Sequence, residues 1–551
     1  MTLPPFASTF ASLAVSRRSL LAGAGASLLL PATARFAAAQ EAKAGPGGTP
    51  KAGGTLVAVL DPEPEGLVAG ITISAPAVAV SSSIFDGLVE YDEGFKLRPS
   101  LARSWEVSPD GTVITFRLRD DVTWHDGKPF TSADVQYSLL EVTKKTHPRG
   151  NAVFANLIAV ETPDAHTAVL RFSRASPVVW AAFNGTETQI LPRHLYEGTN
   201  PLTNPWNGKP VGTGAFVFKE WLKGERIVLE RNPNYWDKGR PYLDRIVFRI
   251  IRDPASRAAA LETGEAQYIP LNPVPLADVA RLKGSQDIKV ETRGFEGPAP
   301  MYFFDFNLRR EPFGDIRVRQ AFAHALNRQA LADTVFYGLA KPATGPVPSY
   351  QTQFYTPDVP QFEYSLAKAE ALLDAAGLTK GPDGVRLRID HIPSAYGDDY
   401  RRAGEYFKQA LKRIGIEVTL RNYDLPTYVK VVFTDYDFDT HSAWYSAYPD
   451  PQIGVQRRYW SQAIKKGTPS SNASGIADPE IDAVIEKIQT EGDVEARNAL
   501  IRELQRLAQV KLPSVNLLEL TFFRAYSAEL SGIDLAPFGG YQSLKTVWLG
   551  A

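Results

Sequence analysis

The chain has 551 residues, more than a single hydrophobic core accommodates, so we expect two or more domains. Its 60 basic and 61 acidic residues leave a formal net charge of −1, without the basic footprint that nucleic-acid binding needs. The sequence contains no cysteine, which excludes disulfides, thiol catalysis and thiolate metal sites.

The N-terminus carries the pattern of an export signal. Paired arginines, Arg17 and Arg18, precede an apolar run over residues 20–30. The small residues 37–39 then form a plausible cleavage site. Eleven apolar residues are too few to span a bilayer as an anchor. We therefore expect residues 1–39 to be a twin-arginine signal peptide, with an ordinary apolar helix of the folded domain as the alternative.

The mature chain is expected to be soluble in a Gram-negative periplasm. A lipid-anchored protein needs a cysteine directly after its cleavage site, and the sequence has none. No later stretch is long and apolar enough to be a membrane span. Without residues 1–39 the chain keeps 57 basic and 61 acidic residues, a formal charge of −4. Residues 40–53, rich in Gly, Ala, Lys and Pro, are typical of a flexible leader.

Residues 97–135 hold the most informative pattern in the chain. Val113, Phe116 and Leu118 continue an alternation of apolar and polar residues that is typical of a half-buried strand. The Pro-Asp-Gly sequence within residues 108–111 is turn chemistry. Together these features predict a β-hairpin.

The hairpin leads into a predicted helix that begins near Ala133, where Thr131 or Ser132 can cap it. The residue order of the whole 97–135 segment closely resembles the signature of the family 5 extracellular solute-binding proteins (oligopeptide and nickel type) of ABC importers. Members of this family bind and deliver a ligand rather than transform it. The resemblance therefore implies a binding protein without catalytic residues.

The resemblance extends over nearly all of the chain after the first fifty residues. Further blocks that look like those of the family occupy residues 211–216, 231–236, 259–266, 304–307 and 312–321. Because the blocks follow one another in the family's order, the resemblance is specific.

Short strands dominate the first part of the chain, and helices alternate with strands in the later part. The predicted early strands are residues 54–60, 169–172, 226–230 and 244–251. Later, Ser365 caps a helix that Gly377 closes, and another helix ends at Gly415. The remaining predicted elements are the strand 416–420, a helix opened by residues 478–479, the helix 494–510 and the strand 514–520. Such helix–Gly–strand units are typical of α/β layers.

The resemblance implies an α/β, two-lobe periplasmic-binding-protein fold of type II, from the large cluster with an inserted extra subdomain. The implied parts are lobe I at 54–90, the inserted subdomain at 91–205, lobe I again at 206–296, lobe II at 297–518 and a return to lobe I at 519–551. The chain would cross between the lobes at about residues 296 and 519. These crossings would be the hinge on which the lobes close.

Two fragments resemble catalytic motifs only superficially. Ser365 and Lys368 have the S-x-x-K spacing of penicillin-binding enzymes, but the accompanying elements are missing, so we predict a helix cap with a solvated lysine. Residues 212–214, Gly-Thr-Gly, lack the spacing and lysine of a phosphate loop and predict a tight turn. Since no set of nucleophile and base appears, we predict that the chain is not an enzyme, with an exported hydrolase as the remote alternative.

The histidines do not pair at the helical spacing of metal ligands. They are His125, His147, His166, His194, His324, His391 and His441. We expect structural roles for them, no metal site and no cofactor. A nickel chelate stays an alternative as the solute.

The densest cluster of aromatic residues with polar flanks lies in residues 437–451. Taken alone, it predicts a buried strand followed by a surface turn. In relatives the corresponding strand and loop line the cleft. The resemblance therefore implies Trp444, Tyr445 and Tyr448 as ligand contacts through ring stacking and hydroxyl groups.

The charged anchors of the implied pocket depart from those of the peptide binders. Their pattern places an aspartate three residues after the tryptophan, where it pairs with the free ammonium of the peptide, but Ala447 stands there. A buried, unpaired ammonium costs about 3–5 kcal/mol, or roughly 100-fold to 1000-fold in binding. Asp450 is near enough to substitute, although its flanking prolines indicate a rigid turn. His441 stands where some peptide binders have an arginine for carboxylate recognition, so Asp450 and His441 join the predicted ligand contacts.

A basic stretch follows within residues 453–475. One interpretation is a solvated basic face. The other is that Arg457 or Arg458 enters the cleft and meets an anionic group of the solute in bidentate geometry. Tyr302 near the first crossing and Ser74 in the loop after the first strand complete the predicted ligand contacts.

Together these features predict a periplasmic receptor of an ABC importer, a monomer that captures a peptide-like solute between two lobes. It would deliver this solute to the transmembrane permease subunits, which act with ATPase subunits. Because Ala447 replaces the expected aspartate, the alternative is a non-peptide solute such as an opine, an oligosaccharide or a metal chelate.

Replacing Ala447 by aspartate tests the anchor argument. We expect the A447D variant to bind free-amino peptides more tightly than the wild type, because the new carboxylate would pair with the ammonium. Isothermal titration with one dipeptide and its N-acetylated form measures the difference. Unchanged affinity for the free dipeptide would show that the pocket lies elsewhere.

Overall fold

A computed structural model describes residues 49–272, 274–468 and 471–550 of the chain. All of these residues fall within a single compact unit. The expected signal peptide, residues 1–39, and residues 40–48 of the expected leader lie outside the described residues. Within the described part, no helix is both long and apolar enough to cross a bilayer.

The strands follow one another along the whole described chain. They are β1 Thr55–Leu60, β2 Val89–Tyr91, β3 Leu97–Pro99, β4 Ala102–Val107, β5 Val113–Leu118, β6 Leu157–Asp164, β7 Thr167–Phe172, β8 Phe216–Leu222, β9 Arg226–Arg231, β10 Arg245–Ile250, β11 Tyr268–Ile269, β12 Ile288–Glu291, β13 Pro300–Phe306, β14 Ala340–Pro342, β15 Leu387–Pro393, β16 Ile416–Leu420, β17 Thr440–Ser446, β18 Ser514–Leu520, β19 Arg524–Ser527, β20 Leu530–Ser531 and β21 Trp548–Leu549.

The α-helices are short in the first half of the chain and longer in the second. They are α1 Ala75–Ser81, α2 Ser132–Tyr137, α3 Lys144–Thr146, α4 Gly150–Val153, α5 Arg193–Tyr196, α6 Pro254–Glu262, α7 Val279–Lys283, α8 Ile316–Ala325, α9 Arg328–Thr334, α10 Leu366–Ala375, α11 Asp398–Lys412, α12 Leu425–Lys430, α13 Pro451–Gly454, α14 Pro479–Thr490 and α15 Val494–Lys511. Two π-helical segments, Ser138–Thr143 and Val431–Asp435, directly follow α2 and α12. The 3₁₀ turns are Pro177–Ala182, Pro201–Thr203, Pro205–Asn207, Leu276–Asp278, Gln456–Arg458, Ser461–Ala463, Gly539–Tyr541 and Leu544–Thr546.

Two mixed sheets form the centres of the two lobes. The first sheet has the strand order β12-β19-β11-β1-β10-β9-β8, in which β1 runs parallel to both β10 and β11. The second sheet has the order β14-β18-β13-β17-β15-β16, in which β15 runs parallel to β16 and β17. Helices and strands alternate along the chain, and each lobe has its own mixed sheet. The predicted two-lobe α/β fold is therefore confirmed.

A third sheet is antiparallel. In chain order, its strands come between β1 and β8 of the first sheet. Its order is β4-β5-β7-β6, and its first two strands are the predicted hairpin, closed by the turn at residues 108–111. The helix after it begins at Ser132, with Thr131 and Asp134 in a reciprocal capping box. Both predictions for this segment are therefore confirmed.

The chain passes twice between the first and second sheets. It leaves β12 at Glu291 and enters β13 at Pro300, and it returns between the end of β18 at Leu520 and the start of β19 at Arg524. The rings of Phe295 and Phe522, one from each crossing, meet edge to face at 6.3 Å between centroids. The two crossings thus pack against each other. The residue boundaries assigned to the lobes stay a prediction.

Strand β13 is buried along its whole length because apolar side chains cover both of its faces. Tyr302, Phe304 and Phe306 pack into one hydrophobic cluster, whereas Met301 and Phe303 pack into another. This alternation is the consequence of successive side chains pointing to opposite faces of a sheet. A continuous apolar run in the sequence therefore becomes a central strand with layers on both sides.

The fragments that resemble catalytic motifs are structural in the described part of the chain. The Ser365 side chain accepts a hydrogen bond from the backbone N–H of Lys368 at the start of α10, and the lysine ammonium pairs with Glu363 at the surface. A Cβ on Gly212 would lie 1.8 Å from the carbonyl oxygen of Ile84, so only glycine fits this close approach. The prediction of a helix cap is confirmed. Residues 213–215 form a bend, and the tight turn stays a prediction.

The His125 imidazole ties the hairpin loop to the Gly-Thr-Gly turn. Its Nδ1 accepts a hydrogen bond from the Gly212 N–H at 3.2 Å, and its Nε2 lies 3.0 Å from the Gly214 carbonyl oxygen. Burial lowers the pKa of His125 from 6.5 to about 4, although the Gly214 carbonyl opposes this shift. In the unfolded chain, His125 therefore takes up a proton near pH 6.5, whereas in the native state it remains neutral at that pH.

We expect the free energy of unfolding to fall as the pH drops from 7 to 5, and His125 to account for up to about 2 kcal/mol of that fall. The H125Q variant should be less stable than the wild type at pH 7 but show a flatter pH profile. Urea unfolding at both pH values measures this difference. Replacing the exposed His166 by glutamine is the matched control. Parallel pH profiles for H125Q and the wild type would contradict the assignment.

Candidate functional site

The loop after β17 lies between the two lobes. Strand β17 is in the middle of the second sheet, yet Tyr448 and Ile453, which follow it, pack into the hydrophobic cluster built from the first and third sheets. The Ala447 N–H donates to the Ala299 carbonyl oxygen at 2.9 Å, which anchors the start of the loop on the neighbouring chain crossing. Residues 447–454, called the bridging loop below, therefore join the lobes.

The backbone of the bridging loop is strained and tightly packed. Tyr448 has φ +59°, which a bulky residue adopts only when its surroundings hold it there. Its carbonyl oxygen accepts a hydrogen bond from the Gln351 side-chain amide. A Cβ on Gly454 would lie 2.0 Å from the carbonyl oxygen of Ser446, so glycine is required where α13 turns back onto the end of β17. Strain of this kind is concentrated at ligand sites in other proteins.

The Tyr448 ring carries a guanidinium from the third sheet's subdomain on its face. The guanidinium carbon of Arg149 lies 4.4 Å from the ring centroid. Arg149 also donates to both carboxylate oxygens of Glu187, with Nη2 to Oε1 at 2.6 Å and Nε to Oε2 at 3.0 Å. Both side chains are buried, at 5% and 7% exposure. The third nitrogen of the guanidinium, Nη1, is buried without an acceptor among the described residues.

A second arginine, Arg457, follows the bridging loop. The charges of Arg149 and Glu187 also act on it. Its Nε is buried and has no acceptor in the described part of the chain. Burial, with repulsion from Arg149 and Arg458, lowers the pKa of Arg457 to about 10, while Tyr448 and Glu187 act in the opposite direction. One donor of the charged Arg457 side chain thus lacks a hydrogen-bond acceptor among the described residues.

The neighbouring Arg458 has a structural role. Its Nη2 donates to Asp305 Oδ1 at 2.7 Å, and its guanidinium carbon lies 3.5 Å from the ring centroid of Phe303. Asp305 also lies 3.2 Å from His441 Nε2, within the core of the second sheet. Burial raises the pKa of Asp305, but Arg458 and His441 outweigh it and hold the pKa below its usual value. Both arginines that the sequence left open have buried donors without an acceptor among the described residues, but Arg458 is held in an ion pair with Asp305.

Three of the predicted ligand contacts lie inside the second lobe. His441 has no exposed surface. The Tyr302 hydroxyl donates to Ser442 Oγ at 3.1 Å, and the Tyr445 hydroxyl donates to the Pro346 carbonyl oxygen at 2.6 Å. A solute would have to displace these packed rings to reach them, so we leave all three out of the proposed site. Their role as ligand contacts stays a prediction.

Trp444 lies on the side of the second sheet that faces the chain crossings. Its half-buried ring meets Phe522 edge to face at 5.2 Å between centroids and the exposed Tyr396 at 5.8 Å. Because successive side chains of β17 alternate, Trp444 and Tyr445 point to opposite faces. Of the two, only Trp444 retains exposed surface, next to the chain crossings.

Ser74 is the N-cap residue of α1 and makes no side-chain cap hydrogen bond. Helix α1 packs against the 3₁₀ turn Gly539–Tyr541, whose Tyr541 interacts electrostatically with Tyr448. Ser74 is therefore on an element that packs near the bridging loop. Its contact with a solute stays a prediction.

Sequence reasoning missed Arg149, Glu187 and Gln351. Arg149 and Glu187 lie 299 and 261 residues before Tyr448, in loops of the subdomain without a local motif. Gln351 lies in the long segment between β14 and α10. No spacing pattern connects these residues, because only the folded chain brings them to the bridging loop.

Asp450, the last predicted contact, is engaged within the protein. Its carboxylate caps α13 by accepting from the Gln452 N–H at 2.9 Å, and it accepts from Arg497 Nη2 at 2.7 Å. Both charged side chains are almost fully buried. In this conformation the carboxylate is not free to pair with an ammonium of a solute.

We expect D450N to lower the free energy of unfolding by about 3–5 kcal/mol, because asparagine keeps the cap but leaves the buried Arg497 unpaired. Chemical unfolding measures the loss, and the D450N/R497M double variant should recover much of it. The exposed pair of Glu363 and Lys368 supplies the control, since E363Q should leave the free energy of unfolding close to that of the wild type. A loss below about 1 kcal/mol for D450N would contradict a structural ion pair.

Comparison with known proteins agrees with this architecture. The profile described as "Bacterial extracellular solute-binding proteins, family 5 Middle" matches residues 96–466. A putative ABC transporter peptide-binding protein of Brucella ovis is 30% identical over 484 residues, which cover 84% of this chain and 87% of the relative. The dipeptide-binding protein of Pseudomonas aeruginosa is 26% identical over 488 residues, covering 84% of this chain and 88% of the relative.

Solved structures show the same fold. The structure of AgaA from A. tumefaciens R10 with agropinic acid has a TM-score of 0.75 and 27% identity, covering 90% of this chain and 99% of its own. That of NikZ from Campylobacter jejuni with Ni(L-His) has a TM-score of 0.77 and 24% identity, covering 88% of this chain and 96% of its own. The profile match and the sequence relatives show that the chain belongs to the bacterial extracellular solute-binding proteins of family 5.

Proposed function

We propose that the protein is the solute-binding receptor of an ABC importer, which captures a small solute between its lobes and delivers it to permease subunits that act with ATPase subunits. The bridging loop carries the proposal, because it starts in the second sheet and packs Tyr448 and Ile453 against the core of the first lobe. Clefts between lobes are common ligand sites, and hinge closure is a known way of enclosing a solute.

Closure follows from the contacts that a solute adds. A solute that touches both lobes gains more contacts in the closed form, so it shifts the population towards closure by its difference in affinity. Trp444 would supply a ring face next to the crossings. Tyr448 on the bridging loop and Arg457 in the 3₁₀ turn after it would supply polar groups. The permease would then recognise the closed, loaded form.

The first candidate for the solute is peptide-like. The Brucella ovis and Pseudomonas aeruginosa relatives are named as peptide-binding and dipeptide-binding proteins. A peptide could add main-chain hydrogen bonds to a strand edge, with pockets that tolerate different side chains.

The second candidate is a non-peptide acid, as in AgaA, whose structure holds agropinic acid. Two observations favour it. Ala447 offers no carboxylate for an ammonium and is fully buried, and the nearby Asp450 is already paired with Arg497.

Export through a twin-arginine signal at residues 1–39 and action as a free periplasmic monomer complete the proposal. The paired arginines and the apolar run after them support export in this way. The solute would leave chemically intact, which agrees with relatives that are named as binding proteins.

Small-angle scattering of the mature chain with pools of dipeptides and of opine acids tests the proposal. We expect at least one pool to reduce the radius of gyration, and mass spectrometry should recover its members unchanged. W444A should weaken capture at least about tenfold, because it removes a stacking face, whereas Y364A at an exposed site should not. Hydrolysis of the pool, or identical scattering with every pool, would contradict a receptor.

A further inference from the structure

The subdomain of the third sheet touches the second lobe at two separate points. At the first, the guanidinium carbon of Arg149 lies 4.4 Å from the centroid of the Tyr448 ring. At the second, a Cβ on Gly492 would lie 3.2 Å from the Cβ of Ala175, which is tighter than most contacts between such atoms. Gly492 belongs to the link between α14 and α15, whereas Ala175 follows β7. The subdomain thus joins the lobes in addition to the two chain crossings.

Each partner of the first contact is fixed to its own side. The Tyr448 carbonyl oxygen accepts from the Gln351 side-chain amide, and Asp450, two residues further on, forms a buried ion pair with α15. Arg149 is held in the subdomain by its buried ion pair with Glu187. The ring and the guanidinium therefore separate only when the second lobe moves away from the subdomain.

The bridging loop is also attached to the hinge. Ala299 in the first crossing has φ +49°, and Tyr448 has φ +59°. The Ala447 N–H donates to the Ala299 carbonyl oxygen at 2.9 Å, and the Tyr448 N–H donates to the Pro298 carbonyl oxygen at 3.4 Å. Residues other than glycine keep this left-handed conformation only when their surroundings hold them there. A contact that holds Tyr448 therefore also restrains the first crossing.

We propose that these contacts form a clasp, made of Arg149 and Ala175 in the subdomain and Tyr448 and Gly492 in the second lobe, that holds part of the solute-free molecules in the closed form. This inference rests on the proposed function, in which the lobes open and close. The inserted subdomain would then set the balance between open and closed molecules before any solute arrives.

The first contact is weak enough to be reversible. Because Glu187 neutralises Arg149, the guanidinium can lie on the Tyr448 ring without an unpaired charge. A cation on an aromatic ring gives a moderate attraction, so we expect this contact to change the ratio of closed to open molecules about tenfold. A solute that touches both lobes can therefore still shift the remaining open molecules towards closure.

Single-molecule energy transfer on the solute-free mature chain tests the clasp. Because the sequence has no cysteine, two dyes on the exposed positions I158C in β6 and K408C in α11 can report the separation of the subdomain and the second lobe. Dialysis in denaturant and refolding remove copurified solute, and native mass spectrometry verifies its absence. We expect a closed and an open population in the labelled chain without further substitutions.

Y448L should lower the ratio of closed to open molecules about tenfold, because leucine stays apolar but offers no ring to Arg149. Tyr436 supplies a matched control. It has φ +54° and carries the guanidinium carbon of Arg309 at 4.2 Å from its ring centroid, but both residues lie in the second lobe. Y436L should therefore leave the ratio unchanged.

G492L tests the second contact, because its side chain would enter the space that Ala175 occupies. We expect the ratio of closed to open molecules to fall in this variant too. Gly314 is also exposed and lies in the second lobe, but a Cβ there would lie 3.8 Å from its nearest contact, the side chain of Glu311. G314L should therefore resemble the wild type.

Thermal unfolding verifies that the variants are folded, and if Y448L is not, G492L at its exposed position decides alone. A solute-free wild type that is entirely open, or wild-type ratios in both Y448L and G492L, would overturn the clasp. Its failure is distinguishable from failure of the receptor proposal. An open empty chain that still captures a pool intact leaves the receptor standing without the clasp. A partly closed empty chain that Y448L opens, but that binds no pool, does the reverse.

Discussion

Charges buried between two lobes have to be neutralised, and this constraint organises the interface. Glu187 neutralises the charge of Arg149, which lies on the Tyr448 ring, and Arg497 neutralises Asp450, which caps α13 within the bridging loop. These pairs hold the loop in a strained conformation against the first lobe. Arg457, which follows the loop, forms no such pair with the described residues.

Aromatic residues on one face of β17 pack inside the second lobe, and Trp444 on the other face lies next to the chain crossings. Neighbouring residues of β17 point to opposite layers, so Tyr445 donates its hydroxyl inside one core cluster while Trp444 meets the return crossing. A difference of one position in the chain therefore decides whether a ring packs the lobe or borders the cleft. Behind them, Asp305 of β13 lies opposite His441 of β17 and also pairs with Arg458, so this buried network links the two strands.

Much of the architecture was predictable from local patterns. Ser365 before an apolar stripe marks the start of α10, the Pro-Asp-Gly turn marks the hairpin, and the strand Ser514–Leu520 was predicted to the residue. Caps, turns and periodicity are decided by neighbouring residues, so a sequence contains them directly. The resemblance to the family supplied the order of the lobes, which no local pattern contains.

The site was predictable only in part. By itself the sequence determined that residues 437–451 carry the aromatic cluster that leads into the bridging loop. It also determined that Ala447 stands where the peptide binders have a carboxylate. The tertiary structure decided that Tyr302, Tyr445 and His441 belong to the core, that Asp450 is paired with Arg497, and that Arg149 reaches Tyr448 from the subdomain. Burial and ion pairing depend on side chains hundreds of residues apart, and only the packing of the two lobes brings such side chains within contact distance.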